Sequence, residues 1–143
     1  MSIEVRKYQS SDRNAVVLLW NVVFPNSTGH NDPDASIDRK CAHDDGLFFV
    51  AEDSGEVVGT AMGGYDGHRG WIYSLAVLPT RQRQGIGRLL IQHTEGALAQ
   101  LGCPKVNLQV RSDNAEIVEF YHSLGYETEQ RVSMGKRIDE GES

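Results

Sequence analysis

The feature that most restricts this chain is the junction Val77-Leu78-Pro79-Thr80-Arg81-Gln82-Arg83-Gln84-Gly85-Ile86-Gly87. Before it, Trp71 to Leu78 is strongly apolar and reads as a strand. After it, Ile86, Leu89, Leu90, Ala97, Leu98 and Leu101 mark one face of a helix that Gly102 and Pro104 stop. A strand that feeds directly into a helix calls for a layered α/β structure with the helix laid back on the sheet. It also places the first helical turn, with its unpaired N–H groups and partial positive charge, at the end of that strand. Glycines there let an anionic group approach the backbone, and Arg81, Arg83 and Arg88 form a basic cluster around it. A tight turn ringed by solvated arginines leaves the same trace, so the junction alone carries both readings.

The rest of the chain supplies the layers. Ile3, Val5 and Lys7 alternate with Glu4, Arg6 and Tyr8 as a first strand. Ser10 to Asp12 offer N-caps for a helix to about Phe24, with Val16, Leu19, Trp20 and Val23 at helical spacing and Pro25 as its stop. Asp32-Pro33-Asp34 opens a second helix running to about His43. Residues 47–53, 57–65 and 71–78 read as strands joined at Ser54-Gly55 and Asp66-Gly67. A strand over 105–110 follows, and Ser112-Asp113-Asn114 then caps a short helix carrying Ile117, Phe120, Tyr121 and Leu124, which Gly125 ends. Residues 126–133 and 134–138 are predicted to form a final strand pair. The predicted order is β-α-α-β-β-β-α-β-α-β-(β): an α/β (α+β) fold with a mixed central sheet of six to seven strands and about four helices. With 143 residues there is room for one core, read as a single domain over 1–138 with a polar tail at 139–143.

Composition removes several functions. A net charge of −6 argues against general nucleic-acid binding, which needs a basic face. The acidity is read as a solubility device, or alternatively as an attraction for cationic amines. No apolar run approaches the roughly 18 residues of a membrane span, and residues 1–9 lack the apolar stretch of a signal peptide. Cys41 and Cys103 have no CxxC neighbour, and the five histidines show no close ligand spacing, so no metal is expected. A reduced, cytoplasmic protein is the simplest reading. The junction lacks the Gly-Lys-Ser/Thr of a Walker A loop. It also lacks the third glycine of a dinucleotide fingerprint, since Leu90 stands there.

Gln82-x-x-Gly85-x-Gly87, following Leu75-Ala76-Val77-x-Pro79, resembles the Q/R-x-x-G-x-G/A motif of the GNAT acetyltransferase superfamily. Asn114 with Phe120-Tyr121-x-x-x-Gly125-Tyr126 resembles that family's last block, and the element order matches over nearly the whole chain. Asn31-Asp32-Pro33, the stretch 63–70 and Gly102-Cys103-Pro104-Lys105 are similar to the small bacterial YpeA-type acetyltransferases. The resemblance implies an acetyl-CoA-dependent N-acetyltransferase working by direct attack of an acceptor amine in a ternary complex. It implies that backbone groups of Leu75, Ala76 and Val77 meet the pantetheine arm, one N–H polarising the thioester carbonyl. Amides of Gln82, Arg83, Gln84, Gly85, Ile86 and Gly87 would wrap the diphosphate, Asn114 would meet the pantetheine, and Tyr121 would protonate the departing thiolate. Read simply as residues, Asn114 is also a helix cap and Tyr121 also a core side chain.

An acceptor amine must be neutral to attack. For a lysine-like amine that costs about 4.6 kcal/mol at pH 7, and for an α-amine only about 1.4 kcal/mol. Many relatives carry a glutamate at the start of the strand before the junction; here Trp71-Ile72-Tyr73-Ser74 holds no carboxylate. Tyr73 or Ser74 could hold a water, and Glu52, Asp66 and His68 are further candidates for the base. Asp32 and Asp34 could line an acceptor pocket, and Trp20, Tyr65 and Trp71 an aromatic wall, although capping and core packing explain them as well. The acceptor is a small-molecule or protein amine, and the chain a monomer or homodimer. A non-catalytic acyl-CoA-binding module is the alternative reading.

Overall fold

The computed structural model describes residues 2–139. Its first unit ends at Leu108. There β1 (Ile3–Lys7), β2 (Phe48–Asp53), β3 (Glu56–Tyr65), β4 (Gly70–Val77) and β5 (Val106–Leu108) lie side by side in chain order. The first four pair antiparallel, and β4 pairs β5 in parallel. Ser54 and Gly55, both at positive φ (52° and 89°), make the two-residue turn between β2 and β3 whose twist suits a hairpin. The parallel pair needs a crossover, which α3 (Ile86–Gln100) provides.

Each face of the sheet is covered by helix. α3 lies close against one face because β3 carries no side chain at two contact points. A Cβ at Gly59 would stand 2.9 Å from Leu90 Cδ1, and one at Gly63 2.7 Å from Thr94 Cγ2. The other face is covered by α1 (Arg13–Val23) and α2 (Pro33–His43). Val16, Leu19, Trp20 and Ile37 pack there against Phe48, Val50, Met62 and Ala76. The predicted start of α2 holds: Asp32 accepts from the Ala35 N–H at 3.1 Å, and Pro33 occupies the first turn.

The second unit begins at Gln109 and contains α4 (Ala115–Ser123). Two expectations fail here. Among the described residues the sheet has five strands, not six to seven, and no strand forms over 126–138. The reason lies in the pattern. Glu127 to Arg131 are consecutive polar residues, so the segment has no apolar face to bury, and Val132, Met134 and Ile138 are 87–89% exposed. β5 is also shorter than the predicted 105–110, ending at Leu108. Of the expected polar tail, residues 140–143 lie outside the described residues. No helix among the described residues is long and apolar enough to cross a membrane.

Candidate functional site

Halfway along β4 the ladder slips. Thr60 opposes Ala76 and Met62 opposes Tyr73, which leaves Ala61 facing both Ser74 and Leu75. Such a bulge re-aims a strand. Ser74 takes φ 55°, a conformation that strains a non-glycine residue by about 1–2 kcal/mol. A buried polar chain holds it there. Trp20 Nε1 donates to Thr60 Oγ1 at 2.8 Å, and Thr60 Oγ1 donates to the Ser74 carbonyl at 3.0 Å. Thr60 is fully buried, so each of these bonds replaces an otherwise unmet polar group.

Pairing with β5 stops at Ile72, so among the described residues β4 has no strand partner on that side from Tyr73 to Val77. Leu78 N donates to Val58 O on β3. Successive residues of a strand alternate their backbone groups between its two edges. Leu75 and Val77 therefore aim their N–H groups at the open edge, while Ala76, buried, faces β3 and the core.

β4 runs into a single 3-10 turn, Pro79–Arg81, and then into α3. Arg83 and Gly85 both sit at positive φ (67° and 84°), and Gly85 is the N-cap of α3. Space around Gly85 is open, so its backbone angle, not crowding, calls for glycine. No side chain among the described residues caps α3. Leu89 N, bonded to Gly85 O at 3.1 Å, is the first amide to find a helical partner; those of Ile86, Gly87 and Arg88 point out of the helix end. Gln82, Arg83, Gln84 and Gly85 are exposed, whereas the Ile86 side chain is buried in the core and leaves only its amide at the surface. The three arginines separate. Arg81 is tied to Asp53 at 2.5 Å and to Gln84 Oε1 at 3.1 Å, which holds the Asp53 carboxyl below the usual carboxylate range. Arg83 and Arg88 are exposed and have no partner among the described residues.

In the second unit Asn114 caps α4, its Oδ1 accepting from Ile117 N at 3.2 Å. Its amide N–H2 group is left available. Tyr121 is buried, edge-on to the rings of Phe120 and Tyr126 at 5.1 and 5.6 Å. Burial pushes its phenol up to about 12.

The carboxylates considered as bases, Glu52 and Asp66, and those considered as pocket lining, Asp32 and Asp34, each have structural work. Glu52 accepts from Arg6 at 2.7 Å. Asp66 closes its turn by accepting from the Arg69 and His68 amides at 2.7 Å, which keep its carboxyl well below the usual range. Asp32 is the cap of α2, and Asp34 pairs with Arg13 at 2.8 Å. Trp20 is the donor that pins the bulge, and Tyr65 and Trp71 flank the β3–β4 turn, at the opposite end of β4 from the junction. Among the described residues no group of His, Cys, Asp or Glu is disposed to hold a metal.

Sequence reasoning missed Lys40. Its side chain is 6% exposed, and Nζ donates to Asp45 Oδ2, Gly63 O and Tyr73 OH at 2.9, 2.5 and 2.9 Å. The signal was present: Lys40 continues the buried stripe of α2 through Pro33 and Ile37.

A sequence model of the Acetyltransferase (GNAT) family matches residues 14–126. An acetyltransferase of Yersinia enterocolitica is 45% identical over 95% of this chain and 96% of its own. One from Pectobacterium atrosepticum is 44% identical over 96% of this chain and 97% of its own. Among solved structures, the aminoglycoside acetyltransferase AAC(6')-Iy, in complex with a bisubstrate analogue of CoA and acetylneamine, superimposes with TM-score 0.79 at 19% identity. That match covers 97% of this chain and all of the other. The PaiA N-acetyltransferase of Thermoplasma acidophilum, in complex with coenzyme A, gives TM-score 0.78 at 19% identity over 92% of this chain and 94% of the other.

Proposed function

Since the chain belongs to the acetyltransferase (GNAT) family and is an acetyl-CoA-dependent N-acetyltransferase, we propose the following division of labour among its own residues. The N–H groups of Leu75 and Val77, on either side of Ala76, hold the pantetheine arm along the open edge of β4. One of them polarises the thioester carbonyl, a contribution of about 3–4 kcal/mol for a well-aimed donor. Amides of Gln82, Arg83, Gln84, Gly85, Ile86 and Gly87 take the diphosphate at the N-terminus of α3, with Arg83 and Arg88 adding charge. Asn114 meets the pantetheine with the amide N–H2 that its capping role leaves over. The neutral acceptor amine attacks the carbonyl carbon directly; as the carbon–nitrogen bond forms the carbon–sulfur bond breaks, the CoA thiolate leaves, the surplus amine proton passes to solvent water, and no acyl-enzyme forms.

Tyr121 faces the leaving sulfur in this reading. Burial raises its phenol to about 12, so it gives up its proton less readily than an ordinary tyrosine at roughly 10. Tyr121 therefore keeps its proton and donates a hydrogen bond to the developing thiolate. Such a charge-assisted bond contributes about 1.5–3 kcal/mol.

One observation carries the reading: a helix start with no side-chain cap, opened by Gly85, at the end of a strand whose outer edge is unpaired beyond Ile72. The direct test is calorimetric titration with acetyl-CoA against CoA, ATP and NAD, repeated on Gly85→Glu and Gly87→Glu. Selective binding that both variants lose, followed by thiol release with an amine, is the expected outcome. A folded protein that binds no acyl-CoA would end the proposal. Tyr121→Phe is expected to lower kcat by roughly 10–100-fold with little change in acetyl-CoA KM.

A further inference from the structure

A cleft of about 220 Å³ opens beside β4, lined by Ser36, Arg39, Lys40 and His43 of α2, Met62 of β3 and Tyr73 of β4. Its polar lining is rich in donors and contains no carboxylate. Lys40 uses its three N–H groups on Asp45, Gly63 O and Tyr73 OH. Because the Tyr73 oxygen accepts from that ammonium, its own hydrogen points elsewhere, and no acceptor among the described residues takes it. Tyr73 is 43% exposed. Arg39 is exposed and, among the described residues, donates only to the His30 carbonyl. The Ser36 hydroxyl has no partner among the described residues. Asp45, the acid beside the cleft, is spent on Lys40 and stands 3.6 Å from His43.

We propose that this cleft binds the anionic end of the acceptor, so that the acceptor is a small amine also bearing a carboxylate or a phosphate. An oxyanion satisfies the Arg39 guanidinium, the Tyr73 O–H and the Ser36 O–H together, and the charge-assisted bonds to Arg39 are the strong ones. A polycation would meet Arg39 and Lys40 with no acid to receive it. The net charge of −6 does not reverse this, since exposed charges farther than about 8 Å are largely screened at physiological salt.

Position connects the cleft to the reaction. Tyr73 precedes Leu75 by two residues across the bulge, so the two lie within about 7 Å, the span of two fully extended residues. A molecule anchored at Tyr73 and Arg39 thus reaches the open edge of β4 with an amine a few bonds from its anion. The volume is below the roughly 300–1,000 Å³ of drug-sized sites, which fits a small metabolite. The inference rests on the acetyltransferase reading and gives that reading its acceptor class.

The test uses matched pairs of acceptors in a thiol-release assay: glycine against glycinamide for the carboxylate, glucosamine 6-phosphate against glucosamine for the phosphate. Spermidine and kanamycin serve as polycations. At least one anionic member is expected to exceed its neutral partner in kcat/KM by tenfold or more. Arg39→Gln should erase most of that ratio through acceptor KM, leaving acetyl-CoA KM within twofold, and Tyr73→Phe should reduce it several-fold. A preference for neutral or polycationic amines, or an Arg39→Gln effect equal within each pair, overturns the proposal while leaving the acetyltransferase intact. Calorimetry with N-acetylglycine and N-acetylglucosamine 6-phosphate, against N-acetylglycinamide and N-acetylglucosamine, needs no turnover. Anion-selective binding weakened by Arg39→Gln, in a protein that releases no thiol with any amine, would uphold the cleft and sink the acetyltransferase reading. No anion selectivity in either measurement sinks the cleft.

Discussion

On the α3 side of the sheet, contact is made by removing side chains: Gly59 and Gly63 let Leu90 and Thr94 come down onto β3. On the α1–α2 side, contact is made by polar groups as well as apolar ones. Trp20, Thr60 and the Ser74 carbonyl form one buried chain, and Lys40 joins Asp45, Gly63 and Tyr73 in another. At the margin of this side, Arg6 bonds Asp12 through two nitrogens at 2.8 and 2.9 Å. Apolar close packing is tolerant of rotation and sliding, and it serves to seat a helix. Hydrogen bonds are directional, and they fix where one carbonyl or hydroxyl points. The polar side is the one that shapes β4, along which the proposed site for the acyl group lies.

Four substitutions would break or sharpen this contrast. Lys40→Met is expected to have the largest effect, about 3 kcal/mol, because it strands the Asp45 carboxylate and frees Tyr73. It should also lower activity even where the protein is folded; full activity would mean that the Lys40 cluster has no part in aligning β4. Gly59→Val is expected to lose about 2–3 kcal/mol by overpacking. Its new Cβ would meet Leu90 Cδ1 at 2.9 Å and the Ala76 carbonyl at 3.0 Å, and a backbone oxygen cannot step aside. Since the loss is steric, denaturant midpoints of this variant should shift equally at pH 7 and pH 3.

Asp12→Asn gives the opposite signature. Arg6, and then the Gln9 amide, hold the Asp12 carboxyl below its ordinary value near 3.8. The carboxylate's stabilisation is thus complete above that ordinary value and is lost as pH falls through the lower folded one. The variant should be about 2 kcal/mol less stable at pH 7, and the gap to the parent should close in strong acid. A gap unchanged at pH 2 would show that the ion pair contributes nothing.

Thr60→Val is the smallest in stability, about 1–2 kcal/mol, since it keeps shape but leaves the Trp20 indole N–H without its acceptor and the Ser74 carbonyl without its donor. Its effect on kcat should exceed its effect on stability, because the bulge it pins sets the direction of the Leu75 amide. Equal stability loss with unchanged kcat would make the chain a packing device only.

Much of this molecule is local in origin. The Asp32-Pro33 start of α2, the Ser54-Gly55 turn, the apolar stripe of α3 and the Gly85 entry to it follow from neighbouring residues alone. Short-range signals of cap, turn and period are read directly from a chain. The final strand pair was expected and did not form, because a strand needs a partner and a buried face, and residues 127–131 offer no apolar face.

The sequence by itself determined the order of elements through α4 and the strand-to-helix junction with its glycine entry to α3. Tertiary structure alone decided that β4 would bulge at Ser74, that β5 would leave it after Ile72, and that Arg81 would turn to Asp53 while Arg83 and Arg88 stay exposed. It also decided that Lys40 would be buried against Tyr73 and so create a donor-lined cleft. The physical reason is range. Trp20 and Thr60 are 40 residues apart, and Lys40 and Tyr73 are 33 apart. Only the folded sheet brings such partners within the 3 Å at which a hydrogen bond has direction.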